Sequence, residues 1–286
     1  MSESCWLEIV VAAPAYSAIA GPLTYRSESA LDPGSLVRVP FGKREVLGVV
    51  WRVLPDAGDI APASLLDVAG VLTGLEPLSA SWRKLVTFTA QYYQRAIGEV
   101  ALAALPPQLR DLTPAQLARR LKRPVANANA NANADTDNSR HAPSTAAQVT
   151  LTAQQVNALA EFNAESQGQQ RPALLFGATG SGKTEVYLRA AAQILEQDPQ
   201  AQVLVMVPEI NLTPQLQARF EERFSHLGQE RVVALHSGLT PAQRLKSWLA
   251  AHSGQARLVL GTRMAVLASI PNLRLIVVDE EHDPSY

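Results

Sequence analysis

Gly177-Ala178-Thr179-Gly180-Ser181-Gly182-Lys183-Thr184 is the stretch that decides how this chain is interpreted. It fits the pattern G-x-x-x-x-G-K-[ST], in which the backbone N–H groups of a glycine-rich loop surround nucleotide phosphates. The apolar run at 172–176 predicts a buried strand before the loop, and 185–196 predicts a helix with one apolar face after it. A helix N-terminus that follows such a loop attracts phosphate. The stretch therefore predicts a nucleotide site, with Lys183 on the β- and γ-phosphates and the Thr184 hydroxyl on Mg²⁺.

A second cluster of functional side chains follows a predicted strand about a hundred residues downstream. The apolar run 273–278 leads directly into Asp279-Glu280-Glu281-His282. Ligands of open α/β sheets bind beyond the carboxyl ends of the strands, so we expect these acids beside the glycine loop. Asp279 is then predicted to hold Mg²⁺, and Glu280 to orient and deprotonate the attacking water.

The C-terminal half alternates between predicted strands and helices. Two of the predicted helices open with Thr-Pro, at Thr213-Pro214 and Thr240-Pro241. The threonine is the expected N-cap, and the proline occupies the first helical position. Repeated strand–helix units with continuous apolar strands are typical of a parallel sheet covered on both faces. The fold class predicted for 151–286 is therefore α/β, with strands at 173–176, 202–207, 231–235, 257–260 and 273–278.

Two polar residues near this predicted site, Gln155 and Arg263, each have two interpretations. Gln155 lies at the N3 position of the capping box Thr152-Ala-Gln-Gln155, or it recognises the adenine edge through its amide. Thr262 and Arg263 follow a predicted strand directly and share the ligand-bearing edge of the sheet. Arg263 either holds a nucleic-acid phosphate or pairs with a carboxylate. Residue spacing alone does not decide between these alternatives.

The N-terminal region, 1–106, predicts a small β-rich unit. Residues 6–11 and 36–54 are rich in β-branched and aromatic residues, and Phe41-Gly42-Lys43-Arg44 predicts a hairpin turn with a basic tip. Ser79 is a predicted N-cap for a helix that runs from Trp82 to Gln94.

The interval 107–150 differs in composition from both flanking regions. Thr113-Pro114 predicts a short helix that ends in the basic cluster Arg119-Arg120-Leu121-Lys122-Arg123, which is either a solvated helix face or a DNA contact. Alternating Ala and Asn follow from 126 to 134, and such a segment buries too little apolar surface to offset its ordering entropy. We therefore predict a low-complexity linker over 107–150.

Composition limits the classes of protein to consider. A length of 286 residues suggests about two domains, and a net charge of −1 restricts nucleic-acid contacts to local patches. The single cysteine, Cys5, excludes an internal disulfide and a thiolate zinc site. There is no good signal peptide and no apolar run that spans a bilayer, so we expect a cytoplasmic protein without membrane contact.

Several exact strings resemble the PriA family of bacterial replication-restart helicases, which belongs to helicase superfamily 2. In the C-terminal half they are 177–187, 206–215, 235–239, 261–263 and 279–286. In the N-terminal half, 37–43 and 92–106 resemble the 3′ DNA-binding domain of that family. The resemblance covers everything except 107–150.

The resemblance implies the first RecA-like lobe of an ATP- and Mg²⁺-dependent 3′→5′ DNA helicase, preceded by a small β-rich DNA-binding domain. Such enzymes act at stalled forks and assemble the primosome. The partners implied are branched and single-stranded DNA, DNA 3′ ends, primosome proteins and single-strand-binding protein. The resemblance favours the adenine role for Gln155 and DNA contact for Thr262, Arg263, Lys43 and Tyr25.

Two departures from the family pattern modify these expectations. The family places a winged-helix domain where 107–150 lies, and that interval is too poor in apolar residues to form it in full. The second lobe, its arginine and the zinc ligands expected of a complete member do not occur within the 286 residues. We therefore expect an incomplete lobe over 151–286 that binds nucleotide better than it hydrolyses it.

Two other functions fit parts of the pattern. One is a module without motor activity that binds forks or DNA 3′ ends and also binds ATP. The other is a RecG-like superfamily 2 translocase, but that family continues after the acidic box with Arg-Phe-Gly, where this chain has Asp283-Pro284-Ser285-Tyr286.

Overall fold

A computed structural model describes residues 5–13, 21–58, 60, 64–122, 150–165, 172–178, 180–208, 213–225 and 231–284. Within these ranges the chain forms an N-terminal antiparallel-rich sheet and a C-terminal parallel sheet, each with its own helices. This confirms the architecture predicted from the sequence, which is a β-rich unit followed by an α/β lobe. None of the helices in the described ranges is long and apolar enough to cross a membrane.

The N-terminal sheet is built around a long hairpin. Its order is β5-β2-β1-β4-β3-β6, and β1 pairs antiparallel with both β2 and β4. The predicted hairpin turn is confirmed, with Gly42 at a φ of 60° between β3 and β4. Buried aliphatic residues at alternate positions along the strands fill one side of the sheet, among them Ile9, Val37 and Val50. The strands are β1 (Cys5–Val11), β2 (Leu23–Ser27), β3 (Leu36–Phe41), β4 (Arg44–Leu54), β5 (Leu66–Asp67) and β6 (Gly70–Val71).

Helices pack on the other side of this sheet. They are α1 (Ala80–Tyr92), α2 (Ile97–Ala103), a 3₁₀ helix (Pro107–Arg110) and α3 (Pro114–Lys122). The predicted N-cap is confirmed, because the Ser79 hydroxyl accepts a hydrogen bond from the Trp82 N–H at 3.1 Å.

The linker predicted for 107–150 does not begin at residue 107. Leu109 and Leu117 are fully buried against the N-terminal helices, and Leu112 is nearly so. These three leucines lie in the 3₁₀ helix, in the segment after it and in α3, and an average composition of the whole interval does not reveal them. Residues 107–122 therefore belong to the folded unit, and residues 123–149 lie outside the described residues.

The C-terminal sheet has the order β10-β7-β9-β8, and all neighbouring strands are parallel. The Thr213 and Thr240 side chains cap α6 and α7 as predicted, each with proline at the next position. The elements are α4 (Ala153–Glu165), α5 (Lys183–Gln197), β7 (Gln202–Met206), α6 (Pro214–Arg223), β8 (Val232–Leu235), α7 (Pro241–His252), β9 (Leu258–Gly261), a 3₁₀ helix (Arg263–Leu267) and β10 (Leu273–Val278).

The strand predicted before the glycine loop is not formed. Residues 172–178 have no regular structure, and Leu174 and Phe176 are 75% and 92% exposed. Within the described residues β10 is an edge of the sheet, and its Ile276 and Val278 remain 48% and 44% exposed. An apolar run predicts burial, but a strand also needs a neighbour that pairs with its backbone groups, and periodicity does not report that neighbour.

The two sheets are joined by a shared core and by hydrogen bonds between the N-terminal unit and the lobe. The indole N–H of Trp82 donates to the Leu267 carbonyl at 2.8 Å. Nε2 of His252, at the end of α7, lies 2.8 Å from the Glu76 carbonyl oxygen, and Nδ1 lies 2.9 Å from the Ser269 hydroxyl. Buried residues of both units belong to one continuous hydrophobic cluster. The N-terminal unit and the lobe therefore form one packed body.

The buried His252 ring makes stability depend on pH. Desolvation lowers the pKa of His252, and the nearby Glu76 carbonyl and carboxylate oppose this effect without overcoming it. The unfolded chain then binds a proton below about pH 6.5 that the folded chain excludes, so stability falls as pH drops below that value. We expect the urea midpoint to decrease between pH 7.5 and 5.5, with a smaller decrease in His252→Gln. His282→Gln, at an exposed position, is the control and should retain the full decrease.

Candidate nucleotide-binding site

The glycine loop turns into α5 through left-handed backbone. Gly180 and Gly182 both have a φ of 82°, a region that favours glycine. Gly182 is also the residue before α5, and a Cβ there would overlap the amide of Gln155. Two of the three glycines in the loop, Gly180 and Gly182, are thus explained by backbone geometry. Thr179 lies outside the described residues.

Lys183 is folded back across the loop. Its ammonium group donates hydrogen bonds to the carbonyl oxygens of Gly177 at 2.7 Å and Ala178 at 3.0 Å. These are neutral acceptors, and an anionic phosphate oxygen forms stronger charge-assisted bonds with the same ammonium. The lysine therefore already lies within the loop that the sequence pattern assigns to phosphates, and Thr184 next to it is exposed.

Asp279 lies beside the helix that follows the loop. The Tyr187 hydroxyl donates to Asp279 Oδ2 at 3.0 Å, and Tyr187 is one turn after Lys183 on α5. The acidic box and the glycine loop are therefore at the same end of the parallel sheet. Thr184 and Asp279 supply hard oxygen donors, the type that Mg²⁺ takes together with waters and phosphate oxygens. This donor set fits a nucleotide-bound Mg²⁺.

Glu280 has a backbone conformation that is uncommon for a side chain of its type. Its φ is 51°, and its N–H donates to the Asp279 carboxylate at 3.1 Å. Non-glycine residues in the left-handed region carry about 1–2 kcal/mol of strain, which is often found at functional sites. The Glu280 side chain is exposed, whereas Asp279 is half-buried. No sequence pattern indicated this conformation.

Gln155 forms the predicted capping box and also contacts the glycine loop. Its Oε1 accepts from the Thr152 N–H at 2.9 Å, and the Thr152 hydroxyl accepts from the Gln155 N–H at 3.3 Å, which is the predicted capping box. Its Nε2 also donates to the carbonyls of Ser181 and Gly182, at 3.2 and 3.4 Å. The amide therefore contacts the glycine loop, and adenine recognition stays a prediction.

The residues predicted to contact DNA occur in both units of the chain. Lys43 is exposed at the hairpin turn, and Arg263 is exposed at the start of the 3₁₀ helix 263–267. Thr262 is only 3% exposed, and its N–H donates to the Leu235 carbonyl at 3.3 Å.

The expectation for Tyr25 requires correction. It is 3% exposed in the core of the N-terminal sheet, and its hydroxyl donates to the Pro40 carbonyl at 2.9 Å. Burial raises the pKa of this phenol. Strand alternation places the residue inward, so its ring does not face DNA in this conformation.

Two further interactions of the site were not predicted. No motif predicts the bond from Tyr187 to Asp279, although Tyr187 lies four residues after Lys183 and therefore on the same helical face. Glu185 accepts from Arg189 at 2.8 Å and from Arg223 at 2.7 Å, which ties α5 to α6. The pair with Arg189 has the helical i,i+4 spacing that sequence reveals, whereas the pair with Arg223 depends on tertiary structure.

Comparisons with known proteins assign a family domain to each half of the chain. A model described as DEAD/DEAH box helicase matches residues 152–285, and one described as 3′DNA-binding domain (3′BD) matches residues 8–106. The chain is 35% identical to replication restart protein PriA of Helicobacter pylori strain J99 over 268 residues, which cover 93% of this chain and 36% of that protein. PriA of Haemophilus influenzae is 33% identical over 316 residues, covering 90% and 42%.

A shorter alignment gives higher identity. PriA of Bacillus subtilis is 44% identical over 113 residues, which cover 40% of this chain and 13% of that protein. The chain spans about two fifths or less of the length of these relatives.

Proposed function

This chain belongs to the family of replication restart protein PriA, and we propose that it supplies the ATP-binding lobe and the 3′-end-binding domain of an ATP-dependent 3′→5′ DNA helicase. The enzyme acts at stalled replication forks, where it contributes to primosome assembly. The observation that carries the proposal is the hydrogen bond from Tyr187 to Asp279. This bond supports the proposal because the carboxylate of the acidic box contacts a residue one helical turn after the loop lysine.

The residues of the site have separate roles in this proposal. Bound Mg²⁺-ATP supplies the phosphoanhydride bond that is hydrolysed and the charge that polarises it. The Lys183 ammonium exchanges the Gly177 and Ala178 carbonyls for phosphate oxygens, a replacement of neutral acceptors by anionic ones. Thr184 and Asp279 hold the metal, and Gln155 recognises the adenine.

Glu280 acts as the general base. Its N–H bond to the Asp279 carboxylate fixes its backbone beside the metal ligand, and its side chain remains exposed to the solvent that provides the attacking water. A carboxylate at this position takes the proton of that water as the bond to phosphorus forms.

DNA is the proposed partner of both units. In the lobe, Arg263 holds a phosphate of single-stranded DNA from the edge of the sheet, and the buried Thr262 positions the start of its 3₁₀ helix. In the N-terminal unit the basic hairpin tip at Lys43 contacts branched DNA or its 3′ end. Primosome proteins and single-strand-binding protein are further proposed partners, and the proposed location is the cytoplasm.

The proposal is tested by ATP hydrolysis and strand separation. A complete protein that contains this chain should hydrolyse ATP faster when single-stranded DNA is added, and it should unwind a forked duplex in the 3′→5′ direction. A duplex with only a 3′ single-stranded arm should also be unwound, whereas a duplex with only a 5′ arm is the matched control and should stay paired. ATP and DNA binding without stimulated hydrolysis or unwinding would instead support a binding module without motor activity.

A further inference from the structure

Three aromatic side chains at the end of α1 are exposed. Phe88, Tyr92 and Tyr93 are 61%, 69% and 66% exposed. The opposite face of the same helix is buried through Trp82, Val86 and Ala90. Aromatic residues of this size normally contribute to a core, and a contiguous exposed group of them marks a binding surface.

The three rings form one continuous surface. The Phe88 and Tyr92 rings lie 5.8 Å apart between centroids at an interplanar angle of 27°, and Tyr92 meets Tyr93 edge to face at 4.9 Å. The helix end beneath them is closed by backbone hydrogen bonds from Tyr93 to Thr89 and from Arg95 to Ala90, at 3.0 and 2.8 Å. The rings are thus held on regular, hydrogen-bonded backbone, which keeps the entropic cost of binding to them low.

Positive charge lies on both sides of the rings. Lys84 is exposed one turn before Phe88, and Arg95 follows the two tyrosines with its side chain 63% exposed. Arg95 pairs with Glu99 at a distance of 3.6 Å between charged atoms, an exposed pair that costs little to open. Between Pro77 and Gly98 the sequence contains no acidic residue. Aromatic rings between cations are complementary to unpaired bases between phosphates.

The position of α1 links this surface to the proposed motor. Trp82, in the first turn of α1, bonds to Leu267 at the end of the 3₁₀ helix that begins with Arg263. Phe88 and Tyr92 lie about 9–15 Å farther along α1, at 1.5 Å per residue. The aromatic surface and the proposed phosphate contact of the lobe therefore belong to adjoining elements.

We propose that this aromatic face of α1, formed by Lys84, Phe88, Tyr92, Tyr93 and Arg95, is a stacking surface for the unpaired bases of single-stranded DNA. The proposal rests on the proposed function, since it specifies how the DNA-binding unit holds a single strand. Bases stack on the exposed ring faces, and the two cations bind the flanking phosphates. Stacking reads no sequence, because every base has an aromatic face.

The test measures the affinity of the 286-residue chain for a fluorescein-labelled oligothymidylate of 20 nucleotides by fluorescence anisotropy. Tyr92→Ala should weaken binding about 5- to 150-fold, the loss expected for one stacked base. Tyr92→Phe retains the ring and should bind as the original chain does. Val53→Ala, at a 49% exposed position of the N-terminal sheet, is the matched control outside the face.

Two further measurements separate stacking from charge. An abasic strand of the same length loses stacking on all three rings, so it should bind the original chain at least as weakly as oligothymidylate binds Tyr92→Ala. Lys84→Gln should reduce the slope of log affinity against log salt by about 0.7, the contribution of one phosphate contact to a single strand.

Failure of this proposal is distinguishable from failure of the proposed function. If the original chain binds no single-stranded DNA, both fail. If it binds, but Tyr92→Ala with an unchanged thermal midpoint binds equally well, or the abasic strand binds equally well, only the stacking surface is overturned. A change in oligomeric state in Tyr92→Ala without a change in DNA affinity would assign the face to a protein partner instead.

Discussion

Glutamine in place of Glu280 should reduce ATP turnover by about 10²–10⁴-fold in a complete protein that contains this chain, the usual contribution of a general base. The amide is nearly the same size as the carboxylate but does not accept the proton of the attacking water. Nucleotide affinity should stay unchanged, because the proposed metal ligand, Asp279, is bonded to Tyr187 independently of the Glu280 side chain. The measurement is steady-state hydrolysis with single-stranded DNA present, together with equilibrium binding of a fluorescent ATP analogue.

Glu281→Gln is the matched control for this experiment. It removes the same charge at the next residue, which is also exposed but has no proposed contact with the reaction. Its turnover should remain within about twofold of the original, the range of a surface charge change. Equal turnover in Glu280→Gln and the original protein would remove Glu280 from the role of base.

Alanine in place of Lys183 should lower the affinity for Mg²⁺-ATP by about 10- to 150-fold, because hydrogen bonds to charged groups contribute about 1.5–3 kcal/mol. The structure adds a reason beyond the lost phosphate contact. The ammonium also binds the Gly177 and Ala178 carbonyls, so alanine removes a bond that fixes the loop itself. Isothermal titration of the 286-residue chain with Mg²⁺-ATP measures the effect.

DNA binding by the N-terminal unit should persist in Lys183→Ala. The glycine loop takes no part in the hydrogen bonds that join the N-terminal unit to the lobe. Those bonds link Trp82 with Leu267 and His252 with Glu76. Lys246→Ala, on α7, is the control for the loss of a lysine charge and should bind nucleotide normally. Simultaneous loss of DNA and nucleotide binding in Lys183→Ala would contradict separate binding sites.

Local patterns were sufficient for most of the fold. Ser79, Thr213 and Thr240 were each predicted as N-caps, and each side chain accepts a backbone N–H at the expected position. The N-terminal hairpin and the strands at 202–206 and 273–278 were equally visible, because apolar periodicity and turn residues are local properties.

The errors concern tertiary partners. The run 172–176 has the composition of a strand, but whether a neighbouring strand pairs with it depends on the arrangement of the whole sheet. The average composition of 107–150 does not predict the buried leucines of 107–122, because its Ala- and Asn-rich end dominates that average. Tyr25 is a core residue because of the face of β2 on which it lies, and a short motif does not report that face.

For the candidate site, the sequence identified the residue types but not their backbone. The glycine loop and Asp279 were predicted together from the rule that ligands bind beyond the carboxyl ends of parallel strands. The left-handed Glu280 and the Tyr187 hydroxyl bond arise only when β10 and α5 are packed together. Such details depend on contacts between residues 92 positions apart in sequence.

The edge strand β10 has a consequence for the behaviour of the chain in solution. Among the residues that the structure describes, no strand pairs with the outer side of β10, and an extended segment of another molecule can add there. The half-exposed Ile276 and Val278 would gain apolar contacts from that addition. A net charge of −1 supplies little mutual repulsion between copies. We therefore expect intermolecular pairing along β10 to increase with the concentration of the chain.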